Sequence, residues 1–287
     1  MRRSESRRHE LDWSRRDIEQ RIFPGAGGRF TRVNGILSGL VGVLLAVVFY
    51  AVLATTSLAS TSFGQIFLDR GPTQHAVVVL FFWSLTILLL KRDKLRLQRR
   101  ALDMRLLPDE PGFVISTSTV EQVLRRLHDV ADDPRHFMVL NRVEVALSNL
   151  RNLGRVGDVE EMLRAQASQD ESQMETSYAL VQGFVWAIPV LGFIGTVLGL
   201  SQAIGSFTSV LAAGQDVSAI TGALGKVTSG LATAFDTTLV ALVAALVIQL
   251  LMVMVKKSEE EFLDEAMEHG IRTVVGRLRL ESDGGRA

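Results

Sequence analysis

Four long stretches of the chain exclude charge, and the charged residues crowd between them. No charge occurs from Val33 to Leu68, and the strongly apolar part, Val33 to Thr56, is long enough to cross a bilayer. After a short loop containing Asp69, Arg70, Gly71 and Pro72, residues Thr73 to Leu90 make a second, barely sufficient span that stops at Lys91. Thr176 to Gln215 is again uncharged, with its apolar core from Leu180 to Phe207. The last span, Thr228 to Val255, carries one charge, Asp236. A helix needs ~20 apolar residues to cross ~30 Å of hydrocarbon. The pattern therefore predicts an all-α integral membrane protein with four transmembrane helices.

The polar segments between and beyond the spans also read as helical. Ser118-Thr119-Val120-Glu121 has the spacing of a capping box, in which hydroxyl and carboxylate satisfy free N–H groups at a helix start. Behind it Val120, Val123, Leu124, Leu127 and Val130 recur at helical spacing. From Asn141 to Gln173 the same period runs through Val145, Leu147, Leu150, Leu153, Val156 and Met162, and Glu259 to Leu280 continues the fourth span as an amphipathic helix. Five regions result. They are a basic segment over 1–32, spans one and two over 33–90, a helical domain over 91–179, spans three and four over 180–257, and a helix and tail over 258–287.

Basic residues set the expected orientation. Arg29 and Arg32 precede the first span, the run Lys91 to Arg100 follows the second, and Lys256-Lys257 follows the fourth. The two short connections contain only Arg70 and Lys226 as basic residues. The positive-inside rule then puts both termini and 91–179 in the cytoplasm, an N-in/C-in topology, with both short loops outside. The Arg-rich 1–32 segment is too long and too charged for the n-region of a cleaved signal peptide.

Composition narrows the function without naming it. Lys+Arg and Asp+Glu balance at 31 each, and the Arg clusters sit beside apolar segments, which argues against a nucleic-acid partner. With no cysteine there is no disulfide and no thiolate ligand or nucleophile. The five histidines (His9, His75, His128, His136, His269) are too scattered to form a metal cluster, and no cofactor is expected. Gly222 to Thr228 resembles a phosphate loop faintly, but its glycine spacing fails and no Ser or Thr follows Lys226, so it reads as a flexible outer loop. No enzyme motif stands out.

The chemistry then lies in the third and fourth spans. In the third, Pro189 removes a backbone donor, while Gly192, Gly195 and Gly199 strip side chains from one face. In the fourth, Gly230, Ala234, Thr237, Ala241 and Ala245 form a small-residue stripe opposite a bulky face of Leu231, Phe235, Leu239, Leu242 and Leu246. These stripes are expected to hold neighbouring subunits close together. A carboxyl group in hydrocarbon costs roughly 2.5–3.5 kcal/mol on insertion scales, so Asp236 should face a polar interior or pathway. Counted inward from Ser206 and Thr228, Thr196 and Thr238 each lie ten positions along, ~15 Å deep at ~1.5 Å per residue. Two antiparallel helices bringing hydroxyls to one depth point to a polar layer, whereas a lone threonine more often bonds only its own backbone. With Thr233 and Thr237, these residues are the candidate ion-path groups.

Pro189-x-Leu-Gly192-x-x-Gly195-Thr196-Val-x-Gly199, followed by Gly230-Leu and Thr237-Thr238-Leu, resembles the MotA/TolQ/ExbB proton-channel family over residues 180–257. The four-span layout is more like MotA; Thr196 and Thr238 are more like TolQ and ExbB, whose pattern has an apolar residue where this chain has Asp236. The resemblance implies a homopentamer in a bacterial inner membrane, around a dimer of a single-span MotB/TolR/ExbD-like partner that carries the ion-binding Asp. H⁺ is the expected ion, and Na⁺ also suits hydroxyl ligands. A structural scaffold without ion flux and a stand-alone ion channel remain as other classes. The charge pattern predicts that reporters fused after Arg100 and after Ala287 are cytoplasmic and one at Gly214 is external. An external signal from the Arg100 fusion would overturn the four-span reading.

Overall fold

The computed structural model describes residues 11, 13, 17, 19–20, 28–104, 113–116, 118–150, 156–212 and 217–279. The helices with both ends among these residues are α1 (Gly35–Thr55), α2 (Ser62–Leu68), α3 (Pro72–Leu102), α4 (Val120–Val130), α5 (Met138–Ser148), α6 (Val156–Ser177), α7 (Ala179–Ala212) and α8 (Val217–Thr273). Among the described residues there is no strand, only isolated bridges joining Leu11 to Ala131 and Ile115 to Leu278. Among the described residues four helices are long and apolar enough to cross a membrane, and the chain is a multi-pass membrane protein. Its residues divide into two compact units, one of 35–88 and 179–254, the other of 1–34, 89–178 and 255–287.

The apolar unit is built on close helix contacts. A Cβ on Gly42 of α1 would lie 2.6 Å from the Trp83 Cα of α3, so these two backbones meet where no side chain intervenes. Trp83 is fixed on that surface by its indole N–H, which donates to Ser38 Oγ at 3.3 Å, and by Phe184 of α7, ring centroids 4.8 Å apart. Val77 of α3 packs with Ile188 of α7 and Ala241, Ala244 and Ala245 of α8. Small residues permit such contacts, because van der Waals packing rather than water exclusion drives association between helices in lipid. α7 continues as a helix through Pro189.

The polar unit has its own core of Val120, Val123 and Leu127 from α4, Leu140, Val143 and Leu147 from α5, and Val159 and Leu163 from α6. Leu124 and Val130 pack at its margin. The expected periodic face is buried in part, at Leu147 and Leu150. Val145, Val156 and Met162 are half-buried, Ala146 is buried beside them, and Leu153 lies outside the described residues. The N-cap of α4 falls one residue beyond the expected Ser118. Thr119 occupies the N-cap of α4 without a side-chain cap bond; its hydroxyl accepts from the Ser116 N–H at 2.9 Å and donates to the Val114 carbonyl at 2.9 Å. Two further expectations are corrected. The 208–227 connection is mostly helix, since α7 runs to Ala212 and α8 begins at Val217, so Gly222 to Lys226 is not a loop. α8 ends at Thr273, where a short 3₁₀ turn (Val275–Arg277) leads Leu278 to its bridge with Ile115.

A buried ionic network runs through the polar unit. Glu259 accepts from Lys91 Nζ at 3.2 Å and from Tyr178 OH at 2.6 Å on one oxygen, and from the Thr31 hydroxyl on the other. Lys94 pairs with Glu19 at 2.5 Å and Asp17 at 3.5 Å and donates to the Arg32 carbonyl. Arg142, equally buried, pairs with Asp170 at 2.8 Å. Burial pushes the Asp170 carboxyl above the ordinary aspartate range, and Arg142 offsets this only in part. Because Lys91 is 1% exposed, removing its partner strands a charge away from water. Glu259→Leu should therefore cost about 3–5 kcal/mol, while Glu259→Leu/Lys91→Met recovers most of the loss. Thermal unfolding of the purified protein in detergent measures both; equal loss in the single and double variants would mean that the two charges do not depend on each other.

Candidate functional site

The glycines of α7 and the small residues of α8 face each other within one chain. A Cβ on Gly192 would lie 2.5 Å from Ala241 Cβ, one on Gly195 2.5 Å from Thr237 Oγ1, and one on Gly199 2.6 Å from the Gly230 carbonyl oxygen and 2.7 Å from Ala234 N. From the other side, a Cβ on Gly230 would meet Gly199 O at 2.7 Å and Ala203 N at 2.8 Å. Ala234, Thr237 and Ala241 are each no more than 2% exposed. The stripes expected to join neighbouring subunits are thus filled by one another, and the bulky face (Phe235, Leu239, Leu242, Leu246) is the one left exposed.

This antiparallel register fixes the threonines. Gly195 meets Thr237 and Gly199 meets Ala234, so Thr196 and Thr238 lie within ~3 Å of one level along the pair. Both are half-buried. Thr238 Oγ1 donates across the interface to the Gly192 carbonyl at 3.3 Å and is 3.2 Å from its own helix's Ala234 carbonyl. Thr196 donates to Phe193 O at 2.6 Å, Thr233 to Ser229 O at 3.0 Å and Thr237 to Thr233 O at 2.9 Å, all within their own helices. The five candidate ion-path residues are therefore not gathered in one place. Thr237 is packed into the α7 interface, with Thr233 ~40° and Asp236 ~100° from it around α8. At ~100° per residue, Asp236 and Thr238 are about 200° apart around the helix, on nearly opposite sides.

Asp236 has a partner that the sequence reading missed. Arg70, in the connection before α3, places Nε 2.9 Å from Asp236 Oδ2, with the side chains 17% and 24% exposed. Roughly 2.5–3.5 kcal/mol of insertion cost for a lone acid is itself a signal that a counter-charge should exist. The basic candidates in the short connections were two, Arg70 and Lys226. What hid the pairing is 166 residues of separation in sequence.

The family model described as the MotA/TolQ/ExbB proton channel family matches residues 138–269, which contain α7, the apolar part of α8 and most of the polar helices before and after them. The match covers less than half of the chain, and over those residues the chain is similar to that family. No curated protein and no solved structure matches the chain. The similarity is to a family of proton-channel type.

Glycines in these helices separate into two groups by what surrounds them. Gly199→Ala or Gly230→Ala forces a methyl group against backbone, so each should lower stability by about 1–3 kcal/mol. Gly205→Ala and Gly222→Ala, with nothing within 4 Å of the added Cβ, should unfold at the wild-type temperature or above. Thermal unfolding in detergent compares the four; equal tolerance at all positions would contradict the close approach.

Proposed function

We propose that this chain is the pore-wall subunit of an ion-motive-force-driven membrane motor, conducting H⁺. Five copies form a ring around a dimer of a single-span MotB/TolR/ExbD-like partner, whose Asp carries the ion. The ring sits in a bacterial inner membrane with both termini and the 91–179 domain in the cytoplasm. The observation that carries this reading is the shared level of Thr196 and Thr238, two half-buried hydroxyls on antiparallel helices in the family's own segment. In the ring they face the partner carboxylate and stabilise it, or a water beside it, while it loads and releases a proton. One charge crossing 100 mV releases ~2.3 kcal/mol, comparable to a few hydrogen bonds and enough to bias a stepwise rotation. The mismatch of five subunits to two inner helices prevents both helices from occupying equivalent contacts at once. Na⁺ fits the same hydroxyls.

Asp236 plays a different part in this reading. Its ion pair with Arg70 and its position away from Thr238 make it a support for the connection before α3 rather than a wall of the path. A scaffold without ion flux is the second reading, favoured by the hydrogen bonds of Thr196, Thr233 and Thr237 to their own helices. Valine substitution separates the two. Interhelical hydrogen bonds in membranes average only ~0.6 kcal/mol, too little to dismantle an assembled ring. Thr196→Val and Thr238→Val should each leave ring mass unchanged and abolish partner-dependent proton flux in reconstituted vesicles, with Thr→Ser retaining part of it. Arg70→Gln/Asp236→Asn should keep more flux than Asp236→Asn alone, which strands Arg70. Wild-type flux through both valine variants would leave the scaffold reading.

A further inference from the structure

Beyond the apolar spans, α3 and α8 run on as helix to Leu102 and Thr273. Along α3, Arg92, Arg96 and Arg100 recur every four residues and are exposed; along α8, Glu260, Asp264 and Glu268 do the same. Both columns belong to one compact unit. Contacts between the two helices set their relative level. Lys91 meets Glu259, and Arg99 lies near Glu261 and Glu265, so a residue of α3 is level with one roughly 165 positions later on α8. Arg92 to Arg100 therefore share a depth with Glu260 to Glu268 to within about one helical turn. Neither column reaches the other inside the chain. The arginines lie ~100°, ~140° and ~180° around α3 from Lys91, and the acids lie at the same angles around α8 from Glu259. Since Lys91 and Glu259 are the residues that meet, both columns are turned away from that contact. Among the described residues no ion pair takes up the three arginines or Asp264, while Glu260 meets Lys256 at 3.6 Å and Glu268 meets Arg272, both on their own helix.

Two solvated helix faces need no matching of sign, spacing and depth. A lipid surface would engage too little of the arginine column. The headgroup layer is ~5–8 Å thick on each side, whereas Arg92 to Arg100 covers ~12 Å along the helix. An acidic soluble partner would use the arginines and leave the acids without a role. A second copy of the chain uses both. Copies in a ring are related by rotation about an axis normal to the membrane, and such a rotation preserves depth. One face of a copy can therefore pair with a different face of the next only where complementary groups already share a depth within one chain, as these do. The contact is head-to-tail, arginine column to acid column, the kind that closes into rings. Complementary charge of this sort fixes register and rejects wrong partners, because like charges brought together repel.

We infer that the column Arg92, Arg96 and Arg100 of one copy docks on the column Glu260, Asp264 and Glu268 of its neighbour. The inference rests on the ring reading above and names the faces that meet beyond the apolar spans. The chain has no cysteine, so Arg96→Cys/Asp264→Cys introduces its only two thiols. The full-length variant is treated in native membranes with a short bismaleimide and run on a denaturing gel. The double variant should give a ladder of covalent dimers and higher multimers. Either single variant should stay monomeric, since a head-to-tail contact brings position 96 to position 264 and not to itself. Adding Arg92→Glu/Arg100→Glu should remove most of the ladder, and further adding Glu260→Lys/Glu268→Lys should bring it back. All six positions are exposed, so the variants should fold. The wild-type chain is weighed natively in mild detergent alongside. Ring mass without a ladder would overturn the assignment of these faces and leave the ring standing, whereas a wild-type monomer would remove both. Adducts with a different protein would make the partner an acidic one from outside, and a ladder indifferent to the charge changes would mean proximity without pairing. Either result overturns the inference.

Discussion

Everything proposed for this chain depends on how closely the backbones of α7 and α8 approach each other. Where Gly199 meets Gly230, an added Cβ on either residue would fall within 2.7 Å of the other's carbonyl oxygen, so no side chain larger than hydrogen fits. That contact sets one antiparallel register, and the register places Thr196 and Thr238 at a common level. It also decides which hydroxyls are available. Thr237 is consumed against Gly195, while Thr238, one residue on, stays half-buried at the edge of the interface. A shift of one residue along α8 would exchange these two roles.

Charge follows a second rule in this chain: ionised groups removed from water are paired. Asp236 has Arg70, Glu259 has Lys91, Lys94 has Glu19 and Asp17, and Arg142 has Asp170. Such pairs gain little over an apolar replacement, but losing one partner is costly, which makes them more informative about arrangement than about stability. They also alter the reading of the basic run from Lys91 to Arg100. Lys91 and Lys94 are interior groups, Arg99 is half-buried and ion-paired with Glu261 and Glu265, and Arg92, Arg96 and Arg100 carry the exposed charge.

The parts of the fold that were legible in the sequence are those governed by local pattern. The uncharged stretches mark the four long apolar helices, and the small-residue periodicity of the fourth span marks the face that is buried. The partner of that face was not legible, because glycine and alanine stripes say that something packs closely and not whether it belongs to the same chain. The connection between the third and fourth spans is expected to be a loop, yet tertiary context outweighs a propensity cost of under about 1 kcal/mol per residue, and α7 runs to Ala212 while α8 begins at Val217. At Ser118 the capping-box spacing is present, but the Thr119 hydroxyl is engaged with Ser116 and Val114 and the helix begins without a side-chain cap. Arg70 and Asp236 meet only through the fold.

The most direct test of this account asks which chain supplies the surface facing the α7 glycines. In the otherwise cysteine-free chain, Gly192→Cys/Ala241→Cys places two thiols where Cβ atoms would be 2.5 Å apart, so separating the helices by about 1–2 Å brings them to the spacing of a disulfide. Oxidation in native membranes should give an intrachain bridge, seen on a denaturing gel as a faster monomer that reverts on reduction. A covalent dimer from the same variant would place the interface between subunits, and the register that sets Thr196 beside Thr238 would go with it.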